Sequence, residues 1–308
     1  MGRYVARRLL QMIPVVIGTT FLIFALVWAL PGDPFAGKCG DRPCPPDYVA
    51  AMTNKFSLDE PLPLQYLAYL GRLVQGDFGA TFSGQSVADA LVRVFPTTVK
   101  LALLAIAIEV IIGIAAGVVA ALRRGSFTDT LVLVSTLVVI SIPIFVIGYA
   151  LQFLLGINLG LFPVTVSPAA RLYELVMPAF VLASTSLAYV ARLMRANLAE
   201  NLRADYVRTA TAKGLSQRRV VGVHTVRAAL IPVVTFIGAD LGALLGGSIV
   251  VEGIFNIDGV GGLIFDSVRR YEGAMVTGAV TVLVLIFLLV NLLVDLLYAV
   301  LDPRIRYD

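Results

Sequence analysis

The sequence is short of charge, histidine, tryptophan and cysteine, and each scarcity removes a class of protein. Only 14% of its 308 residues are Asp, Glu, Lys or Arg, whereas soluble domains carry about 25%. With 58% hydrophobic residues and a mean hydropathy of +0.89, most of the chain cannot face water. One histidine, His224, stands in the whole sequence. That excludes zinc proteases of the H-E-x-x-H kind and leaves serine or cysteine catalysis without an evident base in the membrane. Isolated in a basic segment, His224 reads as a helix-cap or packing residue. Two cysteines with no Cys/His cluster elsewhere exclude a four-ligand soft-metal site. Arginine outnumbers lysine 20 to 4, which reads as compositional bias and not as a phosphate-binding signature.

Apolar length is abundant. A helix crossing ~30 Å of hydrocarbon at about 1.5 Å per residue needs roughly 20 apolar residues. Six stretches approach or meet that length: Leu9–Leu30, Leu101–Leu122, Thr130–Leu155, Leu175–Ala191 (the shortest), Ala228–Val251 and Ala274–Leu301. Open strands would leave backbone groups unpaired in lipid, so these are helices, and Pro143 is expected to kink the third. The first span follows Arg3, Arg7 and Arg8, lacks a small-x-small cleavage site and reads as an uncleaved anchor. Of the 24 basic residues, 15 fall in the N-terminus, Arg123–Arg124, the Arg192–Arg227 segment and the C-terminus. The other side carries 9 basic and 12 acidic residues. The positive-inside rule therefore places both termini in the cytoplasm, in keeping with an even span count. The expected organisation is an N-terminus and first span over residues 1–30, an external loop region over 31–100, and a five-helix core over 101–308. The core carries a cytoplasmic loop at about 197–228. No repeat or low-complexity tract is evident.

Gly32-Asp-Pro-Phe-Ala-Gly37-Lys38-Cys39 stands one residue from the phosphate-cradling pattern G-x4-G-K-[ST]. It follows a membrane span instead of a strand, Pro34 removes an amide donor, and it lies on the outer side. Nucleotide binding by this chain is not expected. Cys39 and Cys44 on the same loop are a possible small disulfide ring if the compartment is oxidising, with free thiols the other reading. Glu109, Asp240 and Asp295 fall inside spans, where an acid implies a buried partner, a water-filled pathway or a proton route. Asp295 lies near the cytoplasmic end and can reach the interface. For Glu109 and Asp240, structural pairing and a pathway role both stand. Gly113 and Gly117, and Gly238, Gly242 and Gly246, repeat every four residues and would let helix backbones approach closely. Asp240 lies about 200° around the helix from Gly238, so it faces another surface than the glycines.

Asp205-Tyr-Val-Arg-Thr-Ala-Thr-Ala-Lys213-Gly214-Leu215 is written as a short helix. Asp205 is expected to cap the first amides, Lys213 suits the negative end of the dipole, and Gly214 suits a left-handed exit. Tyr206, Val207 and Ala210 offer a narrow apolar patch among basic residues. Such a helix suits docking to another protein or lying on anionic lipid.

This segment, Tyr206-Val-Arg-Thr-Ala-x-Ala-Lys-Gly-Leu215 with His224 and Ala228-Ala-Leu-Ile-Pro232, resembles the coupling motif of ABC importer permeases. More narrowly it resembles the dipeptide/oligopeptide/nickel group of DppB/OppB-like type. Arg-Arg-Leu-Leu-Gln-Met-Ile-Pro14, Leu30-Pro-Gly-Asp-Pro34, Leu58-Asp-Glu-Pro-Leu-Pro-Leu-Gln-Tyr66, Gly76-Asp-Phe-Gly79 and Leu301-Asp-Pro-Arg304 agree with it. The general importer motif begins Glu-Ala-Ala where this chain reads Arg208-Thr209-Ala210, which puts that glutamate's role in doubt here. The resemblance implies an all-α integral membrane protein, a six-transmembrane-helix permease of type I importer kind. It implies coupling to ATPase subunits through Asp205, Tyr206, Val207, Arg208, Thr209, Ala210, Ala212, Lys213, Gly214 and Leu215. The implied partners are a second homologous permease chain, two ATP-binding subunits that hold ATP and Mg, an external substrate-binding protein and membrane lipid. No nucleic acid, metal, catalytic residue or cofactor is implied for this chain. The implied location is the bacterial inner membrane, and short peptides are the expected cargo, with haem, nickel or glutathione as other members' classes. The loop Glu252–Gly262, with Phe255, Asn256 and Asp258, suits either an outer gate or an ordinary re-entrant loop. The rival reading is a secondary transporter driven by an ion gradient, with Glu109 and Asp240 as its relay. An intramembrane enzyme would need a nucleophile–base pair that the spans do not offer.

Overall fold

The computed structural model describes residues 2–29, 35, 39 and 44–301, and among these no strand occurs. The look-alike phosphate loop (apart from Phe35 and Cys39) and the Asp302–Arg304 motif lie outside the described residues. The helices are α1 Gly2–Trp28, α2 Pro46–Phe56, α3 Leu62–Val74, α4 Val87–Leu122, α5 Phe127–Ser141 and α6 Ile144–Asn158. They continue with α7 Leu172–Asn201, α8 Asp205–Ala212, α9 Val226–Phe255, α10 Val260–Arg269 and α11 Gly273–Leu301. Five helices are long and apolar enough to cross a membrane, or up to seven if each of two bent pairs counts as one span.

The bent pairs depart furthest from the expected spans. At Ile142-Pro143 the chain turns by 104° between α5 and α6, which breaks the third stretch instead of kinking it. Proline pushes the preceding residue out of the helical region, and Ile142 is extended (φ −95°, ψ 126°). Beyond the turn, Gln152 ties α6 to the following segment and to α9, its Nε2 donating to Val164 O at 2.8 Å and Ile254 O at 3.1 Å. The second pair bends by 77° between residues 248–255 of α9 and α10. The span read as Leu101–Leu122 begins at Val87, behind a Ser86 cap whose Oγ accepts from Asp89 N. Asp89, Arg93 and Lys100 look like loop residues, but the opposite face, Val87, Ala90, Leu91 and Val94, is buried against Val260, Ile264, Met275 and Ala279 of α10 and α11.

The shortest predicted span is the centre of the molecule. In α7, 61% of the apolar window is buried inside the protein, against 11% for α1. Its Ala179, Ala183, Ser184, Ser186, Ala188 and Ala191 are small and buried, so α4, α5, α6 and α9 pack directly on it. Hydropathy ranks lipid exposure, and a helix ringed by helices has little of it.

The glycine ladders divide. A Cβ on Gly113 would stand 2.8 Å from Val190 Cγ1, and one on Gly117 2.6 Å from Ala191 O and Met194 Cβ. These two glycines are where α4 closes on α7. Gly238 and Gly242 meet Val294 and Phe287 of α11, each at 2.8 Å by the same construction. Gly246 meets nothing within 4 Å, so the expected packing role ends one step short of it. The expected external loop region holds α2, α3 and the first turns of α4. In α3, Tyr66 Oη donates to Ile17 O at 2.8 Å, and Tyr69 Oη donates to Thr281 Oγ1 at 2.8 Å, so α3 brackets α1 to α11. Burial holds the Tyr69 phenol above its ordinary value and keeps it a donor.

Candidate functional site

The connection between α7 and α9 carries α8. Ala204 stands at its N-cap with no side-chain cap, and Asp205 is the first helical residue. The expected Asp205 cap is therefore replaced by a weaker contribution, a carboxylate in the first turn that favours the helix dipole. It lies 3.7 Å from Arg208, with both side chains exposed. The C-terminal exit follows expectation. Gly214 adopts φ +80°, Gly214 N donates to Thr211 O at 2.9 Å and Leu215 N to Ala210 O at 3.3 Å. This is the two-bond Schellman closure, with Leu215 packed back on Ala210.

The apolar patch is arranged differently from expectation. Val207 and Ala210 are buried against Val220 with Leu215 beside them, so they fasten α8 to its own loop. What α8 presents outward is Asp205, Tyr206, Arg208, Thr209, Thr211, Ala212 and Lys213. Tyr206 Oη donates to Asn201 Oδ1 at 2.8 Å, tying the outer face of α8 to the end of α7. Beside it opens a shallow groove of about 520 Å³ bounded by Leu202, Arg208, Thr211 and Val221. His224 is exposed on the π-turn Val220–Thr225 that leads into α9, so it is neither a packing residue nor a cap there.

Above this loop, Arg195 of α7 grips Asp129 of α5. Nε and Nη2 both donate, the latter at 2.8 Å to Oδ2, and Gly125 N adds a bond at 2.9 Å. This ion pair ties α7 to α5.

Within the spans, Glu109 of α4 is 0% exposed and opens a π-turn, Glu109–Gly113. It lies within interaction range of half-buried Asp240 of α9, and Ser186 of α7 stands beside Asp240. The two acids stand at one place, and Gly238 and Gly242 of α9 turn toward α11 instead. The Asp295 side chain lies outside the described residues.

At the far end of α9, Glu252 is 0% exposed and accepts from Thr98 Oγ1 at 2.8 Å and Gly262 N at 2.9 Å, while Val260 N donates to Thr98 Oγ1 at 2.8 Å. A Cβ on Gly259, Gly261 or Gly262 would fall 2.3–2.5 Å from Glu252 or from backbone. Of the residues read as an outer gate, Phe255 is 0% exposed in the core with Val166 and Leu175. Asn256, at φ +51°, ends α9. Asn256 and Asp258 line a polar cleft of about 450 Å³ with Arg93, Asp266, Arg269 and Glu272. Cys39 and Cys44 are disulfide-bonded, with Cα atoms 5.3 Å apart. No group of three or more His, Cys, Asp or Glu placed to hold a metal occurs among the described residues.

Residues 113–307 match the family described as binding-protein-dependent transport system inner membrane component, and residues 1–102 match the N-terminal region of such membrane components. The chain belongs to that family.

Curated relatives align with the chain end to end. It is 38% identical to the di/tripeptide transport system permease protein DppB of Pseudomonas aeruginosa, covering 99% of this chain and 98% of the relative. It is 35% identical to the oligopeptide transport system permease protein AppB of Bacillus subtilis, covering 100% of both. The dipeptide transport system permease protein DppB of Escherichia coli K12 is also 35% identical, covering 100% of this chain and 99% of the relative. The chain is thus an all-α, multi-pass permease subunit.

Sequence reading passed over Thr98, Glu252, Asp129 and Arg195. Glu252 stands at the edge of an apolar run and was counted as loop. Arg195 was counted only as topology charge. The available signal was Ser126-x-x-Asp129, a capping pattern that also aims the carboxylate at α7.

Proposed function

We propose that this chain is one of two related permease subunits forming the membrane path of an ATP-driven importer of short peptides. The observation that carries the reading is 34–38% identity, along the whole chain, to permeases named for peptide transport. In this reading α5 and α6 form one broken span, giving six, with both termini cytoplasmic in a bacterial inner membrane. Separate ATP-binding subunits, holding ATP and Mg, seat the outward face of α8. An external binding protein delivers peptide to the polar cleft around Asp258 and Arg269. Closure of the ATPase pair pushes α8, and because α8 is closed onto Val220 and bonded to Asn201, the push reaches α7 and α9 together. Substrate moves through changes in helix packing, with no bond made or broken in this chain.

The test is purification of the tagged chain from gently solubilised membranes, followed by ATPase and peptide-uptake assays in liposomes. The expected outcome is recovery of a second permease and ATP-hydrolysing subunits. Thr209→Arg on the outward face of α8 should lower peptide-stimulated hydrolysis by about tenfold, a loss of about 1.4 kcal/mol in docking, without loss of the folded chain. A chain recovered alone that moves peptide on an ion gradient would overturn the reading.

A further inference from the structure

The Glu109–Asp240 pair has no part in docking or in the packing of the glycine ladders, and its chemistry is incomplete as two carboxylates. Glu109 is 0% exposed, and neither of its oxygens, nor Oδ2 of Asp240, has a hydrogen-bond partner. An ionised carboxylate only accepts, so two facing carboxylates offer four acceptor oxygens and no donor between them. Like charges in a water-poor site cannot both persist at contact distance. The helices packed around the pair do not supply the remedy. From α7 the hydroxyl of Ser186 reaches Asp240, and α7's Arg195 is engaged by Asp129. Among the described residues no Lys, Arg or His on any helix packed there acts on either acid. No third carboxylate, histidine or cysteine joins them to make a metal site.

We infer that Glu109 and Asp240 form a proton-binding site in the middle of the membrane, holding one proton between two carboxyl groups. One acid donates its O–H to the other, which stays ionised, so the pair carries a single negative charge. That bond links α4 to α9, the helices that also meet at the outer end through Thr98 and Glu252. The π-turn that begins at Glu109 marks where α4 departs from regular winding at this contact, as π-turns often do at functional positions. Because the folded arrangement binds a proton here, the contribution of the bond is present while the proton is held and is lost as pH rises far enough to remove it. The inference does not depend on which solute the permease carries.

The test uses the assembled complex in lipid nanodiscs. Infrared spectra at neutral pH should contain a protonated-carboxyl stretch that disappears in both Glu109→Gln and Asp240→Asn, since each amide donates to the remaining carboxylate without a titratable proton. Raising the pH should bleach the same band in the unmodified protein. The unmodified complex should lose thermal stability over that pH range, while Asp240→Asn stays level. Should one variant fail to assemble, the pH bleaching in the unmodified complex and the other variant still decide the matter. A band that is missing, or that survives both substitutions, overturns the inference. So does an alkaline stability that tracks sodium concentration instead of pH, which would make the pair a cation site.

Discussion

The two ends of α9 are built on opposite plans. At the C-terminal end, Glu252, Thr98 and three glycines form a knot in which an added methyl group has nowhere to go. At the N-terminal end, the chain enters α9 through a π-turn from a loop where α8 is held by Val207, Ala210, Val220 and Leu215, and most of its surface is open. The difference follows from what each end can hide. Buried polar backbone in an apolar setting must find partners nearby, so the first amides of α10, at Val260 and Gly262, are taken up by one hydroxyl and one carboxylate. On α8, by contrast, Val207 and Ala210 are covered by Val220 and Leu215, Tyr206 is bonded to Asn201, and the remaining side chains are left exposed.

If that contrast is right, the C-terminal knot should be the costlier place to disturb. Glu252→Ala strips Thr98 and Gly262 of their buried acceptor. We expect a loss of about 3 kcal/mol, measured as a drop in the melting temperature of the purified complex, while Asp258→Ala in the adjacent cleft leaves it unchanged. An equal effect from both would break the contrast. Between the extremes lies the α4–α7 contact. Gly117→Ala should cost about 2 kcal/mol by overpacking, whereas Gly246→Ala, with open space around it, should fall within about 0.5 kcal/mol. Thermal unfolding of the pair separates a specific close approach from a general intolerance of the glycine ladders. At the α8 end the structural effect should be smaller than that of Gly117→Ala. Gly214→Ala forces a left-handed residue, at a cost of about 1 kcal/mol, and should reduce coupled ATP hydrolysis more than it reduces stability.

Much of this was legible one segment at a time. The end of α8 could be read because its closure runs between residues 210 and 215, and caps are local chemistry. The membrane character could be read because hydropathy sums over a window. The break at Pro143 could be placed but not sized, since proline fixes Ile142 while the 104° turn goes with the packing of α6 against α7 and α9. The burial of Phe255 was not legible at all, because a phenylalanine beside a glycine-rich loop suits a core or a mouth equally. Likewise, Val207 and Ala210 read as an exposed patch until Val220 was seen to cover them.

By itself, the sequence determined that this chain is helical, lies in a membrane and carries a short capped helix on a basic loop. Each of these depends on composition or on neighbours within about one turn. Tertiary structure alone decided that Glu109 meets Asp240, that Arg195 holds Asp129, that Gly246 packs on nothing, and that α7 is the hub. Those facts depend on which helix faces which, and residues 66 or 131 positions apart leave no mutual trace in a periodic pattern.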